Sequence, residues 1–176
     1  VGIGGFRQAP AETPSHWFSY LSVADVDESA QTVTKLGAQL MMPPTDFDPV
    51  GRGCIFSDPQ GAALSAWRSS GGDREDCTEG IMNDWCWNEL MSTDAEASVQ
   101  FYRDAFGYET EIMPMEGMGN YHVLKKDGQP RGGIMQTPQA EMGSYWMPYV
   151  VVEDCDTAAQ KARALGAQII MEPMDV

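Results

Sequence analysis

Residues 16–46 read HWFSYLSVADVDESAQTVTKLGAQLMMPPTD, and residues 145–175 read YWMPYVVVEDCDTAAQKARALGAQIIMEPMD. One offset of 129 residues, the distance from His16 to Tyr145, aligns the two stretches without a gap. The alignment superposes a tryptophan, a tyrosine, two aspartates and the run Leu-Gly-Ala-Gln. Self-similarity at a fixed period indicates a structural module that is repeated along the chain. The fold therefore depends on what this module is.

The two ends of the chain also resemble parts of the repeat. Residues 4–10 are similar to residues 132–138 at an offset of 128, so the chain is expected to start late in one copy and stop midway through another. Two explanations stay open at this point. The chain is a fragment of a parent of about two periods, or the gene itself is cut or permuted.

The first complete copy predicts the element order β-α-β-β-β. Its opening strand is aromatic and β-branched, Asp27 is a candidate helix N-cap, and Gly37 supplies the left-handed residue that ends the helix. Pro43 and Pro44 are expected to end the second strand, and the turn Asp-Pro-Gln-Gly at 58–61 precedes the last one. The expected strands are residues 17–24, 38–42, 53–57 and 62–67.

On this pattern the chain divides into five segments. A polar, glycine-rich stretch between the two complete modules is typical of a linker. The second complete module has the same element order in a different sequence, with a helix that begins at Asp94 and ends at Gly107. The segments are 1–10 (last strand of a truncated module), 14–68 (complete module), 69–80 (linker), 81–138 (complete module) and 144–176 (truncated β-α-β module).

The composition favours a cytoplasmic protein that binds neither nucleic acid nor membranes. The formal charge of −15 opposes contact with nucleic-acid phosphates and with anionic lipids. The sequence has neither an apolar run of about 18 residues, which could span a bilayer, nor a signal-peptide pattern at its start. The four cysteines form no C-x-x-C pair, which favours free thiols in a reducing compartment.

Three motifs carry a resemblance to a known family. Residues 87–94 (WNELMSTD) and 101–108 (FYRDAFGY) resemble the opening strand and the helix end of the glyoxalase/bleomycin-resistance/dioxygenase superfamily, also called the vicinal oxygen chelate superfamily. Residues 58–61 (DPQG) resemble its last hairpin, and the repeat resembles its double-domain subset labelled "lactoylglutathione-lyase related". The resemblance implies an α+β fold: tandem βαβββ modules whose curved mixed sheets form cups, with the helices on the outer face.

The resemblance also implies where metal ligands would stand. They are a histidine seven residues before the aspartate that leads each helix, and a glutamate seven residues after the aspartate of the DPxG turn. This sequence has Phe18, Trp87 and Met147 at the histidine positions and Ser65 at the glutamate position. Because divalent metals bind imidazole, carboxylate or thiolate, no metal and no cofactor is expected. A divalent metal is the alternative, held by a shifted set: His16, Glu89, His122 and Glu172.

Strand alternation predicts which side chains line the cup. Trp87, Glu89 and Met91 share one face of their strand. Glu89 is the candidate catalytic residue, because a carboxylate among aromatic side chains is desolvated and can handle a proton. The expected ligand-binding residues are Phe18, Tyr20, Ser65, Trp67, Trp87, Glu89, Met91, His122, Gln136, Met147 and Tyr149.

Three hypotheses for function follow. The first is a metal-independent protein that binds a small hydrophobic or aromatic molecule for sequestration or sensing, because the cup is mostly apolar around one carboxylate. The alternative is a glyoxalase-related lyase or isomerase, or a hydroxylase-like enzyme, that uses Glu89 to move a proton, with or without a divalent metal. The third is an interaction module whose unpaired strands form a homodimer or a strand swap.

Overall fold

The computed structural model describes residues 4–8, 11–72, 80–115, 117 and 119–175. Within these residues, two mixed β-sheets form the framework, one with four strands and one with five. Helices pack against one face of each sheet. Among the residues that the structure describes, no helix packs on the opposite face of either sheet.

The first sheet is built by residues 20–69. Its elements are β1 (Tyr20–Ser22), α1 (Val26–Lys35), β2 (Gln39–Phe47), β3 (Gly51–Ser57) and β4 (Ala63–Ser69). The strands lie in the order β1-β4-β3-β2. Strand β1 is parallel to β4, and the other neighbours are antiparallel. The predicted β-α-β-β-β order of this module is confirmed.

The second sheet combines the second complete module with the first strand of the repeat copy that follows it. Its elements are β5 (Trp85–Ser92), α2 (Ala95–Phe106), β6 (Glu109–Met115), β7 (Gly119–Lys126), β8 (Gln129–Gln136) and β9 (Tyr145–Val150), with a 3-10 turn at Ala140–Met142 and helix α3 (Cys155–Ala164). The order is β6-β7-β8-β5-β9. The predicted α+β fold of curved mixed sheets is confirmed, although the two complete modules do not share one sheet.

Each helix begins at an aspartate, but not at the one predicted for α1. The side chains of Asp25, Asp94 and Asp154 each accept a hydrogen bond from the backbone N–H three residues later. Asp25 has the extended backbone that an N-cap requires, whereas Asp27 already lies inside α1. Asp27 instead forms an ion pair with Arg52 at 2.8 Å. The expectation that Asp27 is the cap was wrong by two residues.

Strand β2 passes through the two prolines that were expected to end it. It continues to Phe47 and is the edge strand of its sheet, and its pairing with β3 shifts register twice, between Leu40 and Met42 and between Met42 and Thr45. Proline lacks a backbone N–H, and an edge strand with an irregular ladder can contain it because fewer of its N–H groups need a partner. Strand β1, in contrast, is shorter than the predicted 17–24.

The described residues near the two chain ends do not form the strands that were predicted there. Residues 4–8 and 167–175 form no strand, although the repeat predicted one in each region. The counterpart of 167–175 is β2, which is held by hydrogen bonds to β3; the described part of the chain places no such neighbour beside 167–175. Residues 1–3, 9 and 10 of the first segment, and 73–79 of the expected linker, lie outside the described residues. The segment boundaries stay predictions.

One hydrophobic core joins the two complete modules. Phe56 of β3 is fully buried, and its ring lies 6.3 Å from the ring of Phe101 and 6.1 Å from that of Phe106, both on α2. Leu90 and Ile134 of the second sheet belong to the same buried cluster. Burial of large apolar side chains is the dominant stabilising contribution in such a core. The helix side of the five-stranded sheet is therefore occupied by packing between the modules.

A buried polar chain crosses the same junction. The Tyr102 hydroxyl on α2 donates to Asp58 Oδ2 at 3.0 Å and accepts from Trp146 Nε1 at 3.0 Å. Asp58, which is 4% exposed, opens the Asp-Pro-Gln-Gly turn, and its other carboxylate oxygen accepts from the N–H groups of Gln60 and Ala62. Burial raises the pKa of the Asp58 carboxyl, and the hydrogen bonds partly oppose that rise. One hydroxyl thus connects the first module, α2 and β9.

Candidate functional site

The side of the five-stranded sheet turned away from α2 carries the candidate site, and we call it the open face. Residues directly opposite each other on neighbouring strands share a face of the sheet. Glu89 on β5 lies opposite Gly133 on β8 and Met147 on β9, and Trp87 lies opposite Tyr149. The open face is lined by Trp87, Glu89, Met91, Tyr121, Val123, Gly133, Met135, Met147 and Tyr149.

The Glu89 carboxylate is the polar centre of the open face. Glu89 is only 7% exposed, and its Oε2 accepts a hydrogen bond of 2.7 Å from the Tyr149 hydroxyl. The Tyr121 hydroxyl is also hydrogen-bonded to Glu89, and it accepts from Trp87 Nε1 at 2.8 Å. The hydrogen bonds therefore link the Trp87 indole to the Tyr121 hydroxyl, and the Tyr121 hydroxyl to the Glu89 carboxylate. The Tyr149 hydroxyl binds the same carboxylate separately, from the neighbouring strand β9.

Both phenols keep their protons over the physiological pH range. Burial is the largest influence that raises the pKa of Tyr121 and of Tyr149, and the negative charge of Glu89 raises both further. A protonated phenol beside a carboxylate donates its hydrogen bond. Glu89 is thus held in one orientation by two neutral donors.

Gly133 provides the space that the Tyr121 ring occupies. A Cβ atom built on Gly133 would overlap the hydroxyl and the ring of Tyr121. The ring therefore lies directly across the backbone of β8, and any side chain at position 133 would displace it. Glycine inside a strand commonly marks such a close approach.

The sequence prediction missed both Tyr121 and Gly133. Tyr121 lies on β7, which is one strand removed from β5, so its approach to Glu89 depends on a pairing that alternation alone does not reveal. The paired glycines at 132 and 133, inside a predicted strand, were the signal that an aromatic side chain crosses there.

The residues predicted to line one cup are divided between the two sheets. Tyr20 and Trp67 lie on the first sheet and form an aromatic row with Phe18, which precedes β1. The ring centroids are 6.0 Å apart for Phe18 and Tyr20 and 5.8 Å apart for Tyr20 and Trp67. Ser65 is buried there and its hydroxyl donates to the Cys54 carbonyl. Trp87, Glu89, Met91, Met147 and Tyr149 lie together on the open face of the second sheet.

His122 and Gln136 do not lie on the open face, and their placement corrects the prediction. His122 is adjacent to Tyr121 on β7 and therefore points to the other side, where its Nε2 is 3.3 Å from the Glu96 carboxylate of α2. The Gln136 amide donates to the Thr93 carbonyl and accepts from a backbone N–H at the start of α2. Both side chains therefore form polar contacts between the sheet and α2 or the residues that lead into it.

The shifted metal set does not converge. His16 bonds to a backbone carbonyl two residues away, Glu172 pairs with Arg163, and His122 faces α2 instead of Glu89. No group of three or more His, Cys, Asp or Glu side chains in the described ranges is placed to hold a metal ion. One carboxylate and two phenols do not provide the His and Glu ligands that the resemblance implies, so no chemical step is assigned to a metal here.

A cleft of about 480 Å³ lies on the other side of β5, where the two complete modules meet. It is lined by residues of both modules and of β9, including Ser19, Asn88, Tyr102 and Trp146. Ser19 donates to the Asn88 side chain at 2.7 Å across this junction. Glu89 does not line the cleft. The open face is thus a surface of the sheet and is separate from the cleft.

Comparisons with known proteins agree with the fold. The profile of the family described as "Bleomycin resistance protein-like N-terminal" matches residues 86–120. "Putative glyoxylase CFP32" of Mycobacterium tuberculosis is 34% identical over 171 residues, which cover 96% of this chain and 64% of the relative. "Anthracycline biosynthesis protein DauV" of Streptomyces sp. is 29% identical, with coverage of 92% and 58%. The chain thus spans less than two thirds of the length of these relatives.

A solved structure shares the fold at low sequence identity. The manganese-bound glyoxalase from Novosphingobium aromaticivorans superposes with a TM-score of 0.53 and 17% identity, covering 84% of this chain and 50% of that protein. None of the helices in the described ranges is long and apolar enough to cross a membrane. The family profile, the relatives and the shared fold agree with the motifs at 58–61, 87–94 and 101–108. This chain belongs to the glyoxalase/bleomycin-resistance/dioxygenase superfamily, the vicinal oxygen chelate superfamily.

Proposed function

We propose that the open face binds a small hydrophobic or aromatic molecule, for sequestration or sensing, without a metal. The observation that carries the proposal is a nearly buried carboxylate, Glu89, held by two phenols among tryptophan and methionine side chains. Small-molecule sites are mostly apolar and contain a few polar groups that fix the orientation of the ligand. The open face has this composition.

The hydrogen bonds around Glu89 support binding because they are already formed. A site whose polar groups are fixed in advance loses less conformational freedom when a ligand arrives. The surrounding methionines, Met91, Met135 and Met147, are half-buried. Their unbranched side chains adapt to ligands of different shape. The site thus combines a fixed polar anchor with adaptable apolar walls.

The first test is titration with N-phenyl-1-naphthylamine, a neutral aromatic probe whose fluorescence increases in apolar surroundings. We expect one bound probe per chain, and an affinity about tenfold lower in Trp87→Ala, since the loss of one large aromatic contact costs about 1.4 kcal/mol. Trp17→Ala is the matched control, because Trp17 is 53% exposed and lies outside the open face. The measured quantity is the dissociation constant of the probe.

The same titration tests the metal-independent part of the proposal. Added Zn²⁺, Ni²⁺ or Fe²⁺ should leave the dissociation constant unchanged. Probe binding that requires one of these ions, or metal that stays at one ion per chain after dialysis, would contradict it. Equal probe binding by wild type and Trp87→Ala would move the site away from the open face.

The same carboxylate favours a second candidate function, that of a glyoxalase-related lyase or isomerase. Glu89 is fixed beside two proton-bearing phenols, an arrangement that suits removal of a proton next to a carbonyl group. The adducts of 2-oxoaldehydes and thiols are suitable test substrates. In D₂O, NMR would detect the step as exchange of the hydrogen of this C–H group for deuterium. We expect Glu89→Gln to slow this exchange at least about a hundredfold. Exchange at the wild-type rate in the variant would remove Glu89 from the mechanism.

We also propose that the protein works in the cytoplasm and forms homodimers through strand edges. Cys54, Cys86 and Cys155 are free thiols, as expected in a reducing compartment; Cys77 lies outside the described residues.

Strands β1 and β9 are each at the edge of a sheet. An unpaired edge can accept a strand from a second copy. Size-exclusion chromatography tests the assembly.

A further inference from the structure

We infer that the ligand of the open face carries a positively charged nitrogen attached to its aromatic body. The inference rests on the proposed binding function and names the class of molecule that the site selects. It follows from three properties of the site: the lack of an ion pair at Glu89 among the described residues, the direction of its hydrogen bonds, and the aromatic rings around it.

In the part of the chain that the structure describes, Glu89 forms no ion pair with a cationic side chain. Its hydrogen-bond partners, Tyr149 and Tyr121, are neutral phenols. In the described part of the sequence, the ion pairs join other residues: Arg52 with Asp27 and Asp46, His122 with Glu96, Lys125 with Glu111, and Arg163 with Glu172. A nearly buried carboxylate without a counter-ion is costly. A cationic ligand would supply the missing charge.

The hydrogen bonds also decide what a ligand must offer. A carboxylate has about four lone-pair positions and accepts only, and two of its bonds here come from the phenols. The Tyr121 hydroxyl is already occupied as an acceptor by Trp87. A ligand that reaches Glu89 must therefore donate hydrogen bonds. A protonated amine does so with charge-assisted bonds, whereas a ligand with only acceptors leaves the carboxylate unsatisfied.

The aromatic surroundings add to this preference. Trp87 and Tyr149 lie opposite each other on neighbouring strands, and the Tyr121 ring lies across Gly133 beside them. The faces of such rings attract cations. The formal charge of −15 raises the local concentration of cationic ligands as well. All three properties favour the same class of ligand.

The test compares two probes of the same shape, 1-naphthylmethylammonium and 1-naphthylmethanol. They differ in the charge of one terminal group, and both fluoresce. We expect the cation to bind wild-type protein about tenfold more tightly, which corresponds to about 1.4 kcal/mol. Glu89→Gln should bring the two dissociation constants together. Glu28→Gln removes the same formal charge from an exposed position on α1 and should keep the tenfold ratio.

The outcomes separate this inference from the binding function. Equal affinity of the wild type for both probes overturns the charge preference and leaves the apolar site in place. Failure of both probes and of N-phenyl-1-naphthylamine to bind overturns the proposed function itself. A tenfold ratio that persists in Glu89→Gln but disappears in Glu28→Gln would assign the preference to the surface charge, against the inference. The comparison of probes on wild type needs no variant to fold.

Discussion

Replacing Gly133 with alanine is expected to weaken binding of N-phenyl-1-naphthylamine about thirtyfold, or about 2 kcal/mol. The added methyl group would occupy the place of the Tyr121 hydroxyl and ring, which lie across the backbone of β8 at this position. The ring must then rotate away, and Glu89 loses one of its two phenol donors. The measurement is the dissociation constant of the probe for the Gly133→Ala protein.

The same substitution should also lower the free energy of unfolding by about 1–3 kcal/mol, because extra volume in a filled space forces side chains and backbone to shift. A double-mutant cycle with Tyr121→Ala separates the clash from any intrinsic effect of alanine in the strand. In the Tyr121→Ala protein, Gly133→Ala should lower the free energy of unfolding only slightly. An equal decrease with and without the Tyr121 ring would mean that the ring does not occupy this space.

The repeat and its motifs predicted most of the fold. Aspartate-led helices, the glycine at 107 and the hairpin at 58–61 are local features, and the structure contains each of them. Strand β2 could not be predicted correctly, because the tolerance of Pro43 and Pro44 depends on its edge position. The cap of α1 was misplaced because Asp25 and Asp27 are equally good caps by residue type.

The arrangement of the candidate residues on the sheet was predicted in part, whereas their role stays a prediction. Alternation along single strands placed Trp87, Glu89 and Tyr149 on one face, where the structure has them. It could not show that β5 pairs with β8 and β9 and not with β1, so residues of two sheets were assigned to one cup. His122 shows how sensitive alternation is, because a shift of one residue moves a side chain to the opposite face.

Replacing Tyr102 with phenylalanine is expected to lower the free energy of unfolding by about 2–4 kcal/mol at pH 7. The change removes one hydroxyl that donates to Asp58 and accepts from the Trp146 indole. Both partners stay buried or partly buried, and an unsatisfied buried polar group costs about 1–3 kcal/mol. Urea unfolding followed by tryptophan fluorescence measures the difference. Tyr20→Phe, at a tyrosine that is 58% exposed, is the control and should change stability by less than about 0.5 kcal/mol.

The cost of Tyr102→Phe should be smaller in acid, and this distinguishes a charge effect from a packing effect. Burial raises the pKa of the Asp58 carboxyl in the folded state, so the folded protein binds more protons than the unfolded chain between the two pKa values. Stability contributed by this group therefore decreases as pH rises through that window. The hydrogen bond from the Tyr102 hydroxyl opposes the rise in the pKa of Asp58. Without this hydroxyl the folded-state pKa of Asp58 moves higher, so the ionised Asp58 carboxylate destabilises the folded protein more at neutral pH. At an acid pH below the folded-state pKa of Asp58, the carboxyl is protonated with or without the hydroxyl, which leaves mainly the loss at Trp146. If Tyr102→Phe lowers the free energy of unfolding equally at neutral and at acid pH, Tyr102 acts by packing and not by stabilising the charge of Asp58.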